Sequence, residues 1–428
     1  MRRGASGLLA VLGAVVLLAT ACTGSTPTPT TSPSGPTGHL LWWDISTQTG
    51  ATAAMASLID QFQSLHPKVT VDYVNIPAAE ARGRIDTAAQ TASGAPDVIT
   101  VDSLWIADFA SRGYLARLDD TAAVDPIDDQ FPALLPTVKY DGRIVALPRT
   151  ADATALLYNV ALMAKAKLSP PRSWAETSAA RLKLTAAGVQ TLYVPADASG
   201  LLPWIYSEGG RLVDPAAKTI DVNAAAAVAG LSQRLELQAL GVAVDDATPD
   251  SVDAMRAAFR QGRVAMILDS AAALPVLVGG AATPSLSSIG IAPLPTGSVS
   301  GTSPLTGTAY AVYAGSPNLT AAYSFVHFVD SAPSQASLAA RLGLLPTRLA
   351  AYTDPLVKTD AVMQAFEPIV RAGTPLPQIP QNGQLLAPLD DAMRRALAGD
   401  GSPQKILDAV AATYSRTFPD FTIGPPAS

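Results

Sequence analysis

The chain of 428 residues contains one cysteine and three histidines. With Cys22 as its single thiol it can form no internal disulfide and no cysteine-based zinc site. His39, His66 and His327 lie far apart, in none of the spacings that hold a catalytic zinc, so neither metal nor cofactor is expected. The formal charge is -6, and no run rich in Lys and Arg interrupts it. This excludes the electrostatic footprint of a nucleic-acid binder. The sequence also lacks a G-x-S-x-G elbow, a Walker phosphate loop and a G-x-G-x-x-G turn, which removes the easily read acyl-transfer and nucleotide chemistries. What is present is 48% apolar residues with 31 Gly and 35 Pro, the composition of a globular chain rather than a coiled-coil, collagen-like or disordered one. At roughly 100–200 residues per domain, its length allows two or three domains.

The N-terminus has its own logic. Arg2 and Arg3 are followed by an apolar run from Leu8 to Leu18, too short for a comfortable membrane span, and by the small residues Ala19-Thr20-Ala21. Residues 1–21 read as a signal peptide. The segment Leu18-Ala19-Thr20-Ala21-Cys22 resembles the bacterial lipobox, which implies a lipid on Cys22. Thr23 to Thr37 is almost wholly Thr, Ser, Pro and Gly, a spacer that cannot bury a core, so residues 22–37 form a lipidated flexible tether. Cleavage removes Arg2 and Arg3 and takes the formal charge from -6 to -8. No later stretch approaches eighteen uninterrupted apolar residues, and the expected location is the outer face of the cell membrane, anchored but not spanning.

From His39 the pattern alternates between strand and helix. His39–Trp43 reads as a strand, and Met55, Leu58, Ile59, Phe62 and Leu65 recur at helical spacing. Val69–Val74 is a strand, Ala78–Ala92 a helix, and Asp97–Val101 a buried strand leading into a helix that ends near Gly113. Such alternation predicts an α/β domain. Val145 to Tyr158 reads as two strand-like runs separated by Pro148, Thr150 and Asp152, after which Ala-rich helices dominate to about residue 265. Further strands are expected at 264–268, 289–294 and 309–314, and helices at 321–330, 361–372, 385–398 and 403–418.

Asp44, Asp102 and Asp152 fall after strands or at a strand junction, where α/β folds place functional groups. As a pair they could serve as acid and base of a glycosidase, or as acceptors for ligand hydroxyls, or any one of them could be a solvated loop residue or helix cap. Trp42, Trp43 and Trp105 lie near them, and an aromatic face beside a carboxylate suits a sugar as well as it suits core packing.

Several blocks, in order, resemble the family 1 extracellular solute-binding proteins of ABC importers. The first is Ser93-Gly94-Ala95-Pro96-Asp97-Val98 with Asp102, Trp105, Phe109, Gly113-Tyr114-Leu115 and Leu118-Asp119. Tyr140 to Pro148 followed by Leu157-Tyr158-Asn159 is similar to the family's hinge-strand block, and Pro171-Arg172-Ser173-Trp174-Ala175-Glu176 to its helix start. Ala258 to Met266, Pro293-Leu294-Pro295 and Ile379-Pro380-Gln381 complete the series, which runs from about residue 39 to 418.

The resemblance implies a periplasmic-binding-protein type II-like fold: two α/β lobes with mostly parallel sheets, joined by a hinge with several crossings and closing on a ligand. The N-terminal lobe would comprise 38–150 with 306–344 and the C-terminal lobe 153–303 with 346–421, the crossings lying near 149–152, 303–307 and 344–347. It implies ligand contacts at Asp44 and Gln48 in the first strand–helix loop, at Asp102 and Trp105, at Asp152, at Ser199, and at Gly307 in the hinge, with Trp204 contributing from the second lobe. Where maltodextrin-binding members stack sugars on aromatic residues this chain has Ala272 and Leu386, which favours a small hydroxyl-rich ligand. The expected protein is a monomeric, lipid-anchored receptor without catalytic residues. It captures a di- or small oligosaccharide and hands it to two transmembrane permease subunits driven by a cytoplasmic ATPase. An amino sugar or glycerophosphodiester is the alternative ligand, and a tethered carbohydrate-active hydrolase the alternative function.

Overall fold

The computed structural model describes residues 35–91, 94–244 and 251–424. The signal segment, Cys22 and most of the tether lie outside the described residues. The described chain opens with β1 (Gly38–Asp44), α1 (Ala51–Leu65), β2 (Val69–Asn75), α2 (Ala78–Thr91) and β3 (Val98–Asp102), the alternation the sequence predicts. β1 runs parallel to β2 on one side and to β3 on the other. The apolar face of α1 buries Met55, Leu58, Ile59 and Phe62 against this sheet, whereas Leu65 at its last turn is exposed. A 3₁₀ turn (Ser103–Trp105), α3 (Ile106–Ser111) and a hairpin of β4 (Lys139–Tyr140) and β5 (Arg143–Ile144) follow.

The two runs expected between Val145 and Tyr158 are one unbroken strand, β6 (Leu147–Asn159). Thr150 and Asp152 look like interruptions in sequence, but they alternate with the buried Ala151 and Ala153, which is the period of an extended chain with one polar face. Pro148 is tolerated beside a ladder irregularity at Thr308/Ala309 of the neighbouring strand, the kind of place where sheets accept proline.

After β6 come α4 (Val160–Lys165), α5 (Trp174–Ala186), β7 (Gln190–Tyr193), α6 (Ala198–Ser207), β8 (Val213–Asp214), β9 (Thr219–Ile220), α7 (Ala225–Ala239), β10 (Ala243–Val244), α8 (Ser251–Arg260), β11 (Val264–Ser270), α9 (Leu274–Leu277) and β12 (Ile289–Ala292). The start of α5 is fixed by Ser173, whose hydroxyl accepts from the Glu176 N–H at 3.1 Å while the Glu176 carboxylate reaches back to the Arg172 N–H at 2.7 Å. The chain then adds β13 (Pro304–Val312), α10 (Leu319–Asp330), α11 (Ala332–Leu342), α12 (Pro355–Lys358), α13 (Ala361–Arg371), β14 (Thr374–Pro375), α14 (Leu386–Ala398), α15 (Pro403–Thr417) and β15 (Thr422–Ile423). None of the described helices is long and apolar enough to cross a membrane.

β6 organises the main sheet, whose order is β10-β7-β11-β6-β13-β3-β1-β2, with β12 also on β6 and β14 on β13. Its first half pairs with β13 and its second half with β11 and β12, all antiparallel. The flanks β10-β7-β11 and β3-β1-β2 are parallel. The result is a two-lobed α/β molecule with one sheet continuous through the hinge. Away from that sheet, α6, α7, α14 and α15 enclose a cluster that includes Leu201, Leu231, Leu389, Met393 and Tyr414.

Three chain segments meet at Ala151. It lies opposite Gly307 of β13, and its N–H donates to the Leu345 carbonyl at 3.1 Å. The segment at Leu345 is pinned a little further on. The Thr347 hydroxyl donates to Pro148 O at 2.7 Å, and Arg348 makes a buried ion pair with Asp330 at 2.5 Å that also receives Gln130 Nε2 at 2.9 Å. Burial pushes the Asp330 carboxyl up to about 7 against the opposing pull of Arg348. At the crossing itself only glycine fits. Gly307 has φ +152°, and a Cβ there would stand 2.0 Å from Thr150 O. Gly307→Ala should therefore cost at least about 2 kcal/mol in urea denaturation. An unchanged unfolding midpoint would show that the crossing tolerates separation of its strands.

Candidate functional site

Strand register places five polar side chains on one face of the hinge. Asp102 of β3 lies opposite Thr308 of β13, Thr308 opposite Thr150 of β6, and Thr306 opposite Asp152. Residues two apart share a face, so Asp102, Thr150, Asp152, Thr306 and Thr308 project together. All five line a cavity of about 810 Å³, within the roughly 300–1,000 Å³ usual for small-molecule sites. Thr47, Gln48 and Thr49, from the loop after β1, extend this polar wall. The rest of the lining includes the aliphatic Ala272, Leu274, Val276, Val278 and Met363, and among the described residues no aromatic one lines the cavity.

The two carboxylates are held differently. Asp102 ends β3 and caps the 3₁₀ turn, one oxygen accepting the Leu104 N–H at 2.8 Å. Burial raises its pKa, the Leu104 N–H opposes that, and the charge of Asp152 adds to it. For Asp152 burial is again the largest cause of a raised pKa, opposed first by a hydrogen bond from Ser270. The nearby charge of Asp269 raises it further, and Arg256, which pairs with Asp269 at 2.8 Å, draws it down. The threonines between them are ordered: Thr150 Oγ1 and Thr308 Oγ1 lie 3.0 Å apart, and the Thr308 N–H donates to Thr150 Oγ1 at 3.2 Å. Such a wall is rich in oxygen acceptors and suited to ligand hydroxyls.

Of the residues expected from sequence, Gln48, Asp102, Asp152 and Gly307 line this cavity. Asp44 does not. It is fully buried beneath the β1 loop, accepts from the Tyr73 hydroxyl at 2.8 Å and stands 4.0 Å from Arg149 Nη2. Arg149, also buried, donates to Ser46 Oγ at 2.7 Å and to the Tyr310 hydroxyl at 3.2 Å, so the Asp44–Arg149 pair fastens the loop carrying Gln48 to β6 and β13. Gln48 also borders a second cavity of about 570 Å³ at the first turn of α1, beside Asn75 and Pro77.

Trp105 is half-buried, meets Phe109 edge-on at 6.2 Å and packs near Ile76 and Ala81, outside the cavity lining. Ser199 is exposed in the first turn of α6, its hydroxyl donating to Asp197 at 2.6 Å. Trp204 is wholly buried, stacked on Trp174 with centroids 3.7 Å apart, so its ring belongs to the core rather than to the cavity wall. Sequence reasoning passed over Thr150, Thr306, Thr308, Arg341 and Asp360, all in the lining. For the threonines a signal existed in the two-residue period they share with Asp152.

Comparisons with known proteins agree with this architecture. The family model "Bacterial extracellular solute-binding protein" matches residues 46–336. The GacH receptor of Streptomyces glaucescens GLA.O, whose crystal structures are unliganded and in complex with acarbose and a homologue, is 36% identical with a TM-score of 0.79, covering 90% of this chain and 99% of that one. The maltotriose-binding protein of Pyrococcus abyssi is 22% identical over 370 residues, 84% of this chain and 78% of the relative. The sugar-binding protein MalE of Xanthomonas citri shares the fold at 20% identity, with a TM-score of 0.79 over 89% of this chain and 98% of that one. A family match across most of the chain, together with a 36% identical solved structure spanning nine-tenths of it, makes this protein a member of the bacterial extracellular solute-binding family.

Proposed function

We propose that this solute-binding protein captures a hydroxyl-rich carbohydrate in the hinge cavity and delivers it to an ABC importer. The observation that carries this reading is the shared face of Asp102, Thr150, Asp152, Thr306 and Thr308, a row of acceptors in a cavity whose lining also includes aliphatic side chains that can cover C–H surface. Relatives named for maltotriose binding or crystallised with acarbose support the ligand class. The aromatic-free lining favours a compact sugar over a long glucan.

In this reading the receptor breaks no bond, acts as a monomer, is tethered through a lipid on Cys22 and passes its ligand to a permease pair with a cytoplasmic ATPase. Its lobes comprise 38–150 with 306–344 and 153–303 with 346–421. Closure is a population shift driven by ligand contacts to both lobes. Ser199 and Trp105 lie outside the cavity of the present conformation and are proposed to meet ligand only as the lobes rearrange. Asp44 is proposed to act from beneath, through Arg149.

Two measurements test this. Calorimetric titration with trehalose, maltose, maltotriose and acarbose should show a saturable ligand, and Asp102→Asn or Asp152→Asn should each weaken it by about 1–3 kcal/mol without unfolding the protein. Failure of the whole panel to bind would remove the carbohydrate reading, and sustained release of monosaccharide during the titration would replace the receptor with a hydrolase. The second measurement is the pH dependence. Both carboxyls are raised by burial, so on acidification they protonate above the ordinary aspartate range and lose acceptor capacity. Affinity should therefore fall on acidification at a higher pH than an ordinary aspartate would give, with a flatter profile in Asp152→Asn. The ligand-free protein should show the opposite sign. A carboxyl whose pKa is raised on folding favours the fold while protonated, and that stabilisation is lost as pH rises through the folded value.

A further inference from the structure

The hinge cavity holds more negative charge than positive. Its lining contains three carboxylates, Asp102, Asp152 and Asp360, and one cation, Arg341. Asp360 is the N-cap of α13 and accepts the Val362 and Met363 N–H groups at 2.9 and 3.1 Å, so its charge already faces the positive end of a helix. Arg341, in the last turn of α11, is exposed, and among the described residues it pairs with no carboxylate. Asp102 and Asp152 therefore face the cavity without a cation of their own.

Asp152 is the less compensated of the two. The groups around it are Asp269 and Ser270 of β11, Arg256 of α8 and, beyond β13, Asp102 of β3. Arg256, the one cation among them, is already engaged: it holds Asp269 with both arms of its fork, Nε donating to Oδ2 at 2.8 Å and Nη2 to Oδ1 at 3.0 Å. Ser270 and the Ala153 N–H donate to the Asp152 carboxylate, which solvates its charge without neutralising it. Charged groups withdrawn from water are usually paired with an opposite charge, and a carboxylate between Asp269 and Asp102 has two like neighbours instead. A cation brought by the ligand would supply what the protein does not.

We propose that the solute is an amino sugar whose protonated amine is held at Asp152, with Asp102 supplying a second negative charge and the threonines of β6 and β13 meeting its hydroxyls. This deepens the carbohydrate reading above and rests on it. A neutral sugar can donate hydroxyl hydrogens to both carboxylates but leaves their charges uncompensated. An ammonium group donates three hydrogen bonds and neutralises one of those charges, and charge-assisted bonds are roughly twice as strong as neutral ones. The formal charge of -6 also favours the approach of a cationic solute over an anionic one.

Calorimetric titration of the purified wild-type protein tests this with trehalose and maltose, their 2-, 4- and 6-amino-deoxy derivatives, and the N-acetyl form of each derivative. At least one amine should bind at least about tenfold more tightly than both its neutral parent and its N-acetyl form, which keeps the nitrogen and loses the charge. That advantage should shrink with added salt and vanish as pH rises through the amine's own pKa. In Asp152→Asn, which keeps the shape of the side chain, the ratio of amine to parent affinity should fall to within about twofold; the ratio is the readout because the parent is weakened as well. Parents that bind with no amine ahead of them would overturn the proposal and leave the carbohydrate reading standing, and the wild type alone decides this. An amine preference that Asp152→Asn leaves unchanged would overturn it too, by placing the charge elsewhere. If no parent, amine or N-acetyl form binds, the carbohydrate reading fails and this inference with it.

Discussion

The geometry of this molecule depends on one strand serving two halves. β6 pairs with β13 between residues 147 and 153 and with β11 and β12 between residues 154 and 159, so the sheet runs on through the hinge. A hinge built this way has its backbone hydrogen bonds satisfied at the point of flexure, and bending must be absorbed by twist rather than by exposing unpaired groups. It also restricts what can stand beside the strand. Gly307 is required because a neighbouring backbone passes within contact distance, and the segment at Leu345 is locked by the buried Arg348–Asp330 pair.

The same constraint builds the site. A strand with a two-residue period that must be apolar on one side is free to be polar on the other, and β6 and β13 use that freedom for Thr150, Asp152, Thr306 and Thr308. Asp102 joins them because β3 ends level with Thr308. Behind this face, Asp44 and Arg149 form a buried layer that ties the first loop to the hinge, with Tyr73 and Tyr310 completing it. Position relative to the hinge, more than the sharing of any single side chain, makes this region a place for a solute.

Much of the fold was legible in sequence. The alternation from β1 to β3 and the late helices follow from periodicity that the structure repeats, and the helix start at Ser173, implied by the family resemblance, is borne out by the capping contacts of Ser173 and Glu176. β6 was not legible as one strand, because Pro148, Thr150 and Asp152 carry the composition of a turn, and only their pairing with β13 reveals them as an extended polar face. The carboxylates at strand ends were visible, but burial was not. Asp44 and Asp102 both terminate strands, yet Asp44 is covered by Tyr73 and the loop above it while Asp102 opens onto the cavity. Trp204 faces inward because it stacks on Trp174 of α5, in a cluster that also holds Leu192 and Leu237, a property of its packing partners rather than of its own sequence.

The central claim is that a hydroxylated solute is held on the polar face of the shared strand. The most direct test is a crystal structure of the protein with the sugar that titration shows to bind. The account predicts ligand hydroxyls within hydrogen-bond distance of both Asp102 and Asp152, above the threonines of β6 and β13. A ligand bound elsewhere, or one that leaves both carboxylates untouched, would contradict it.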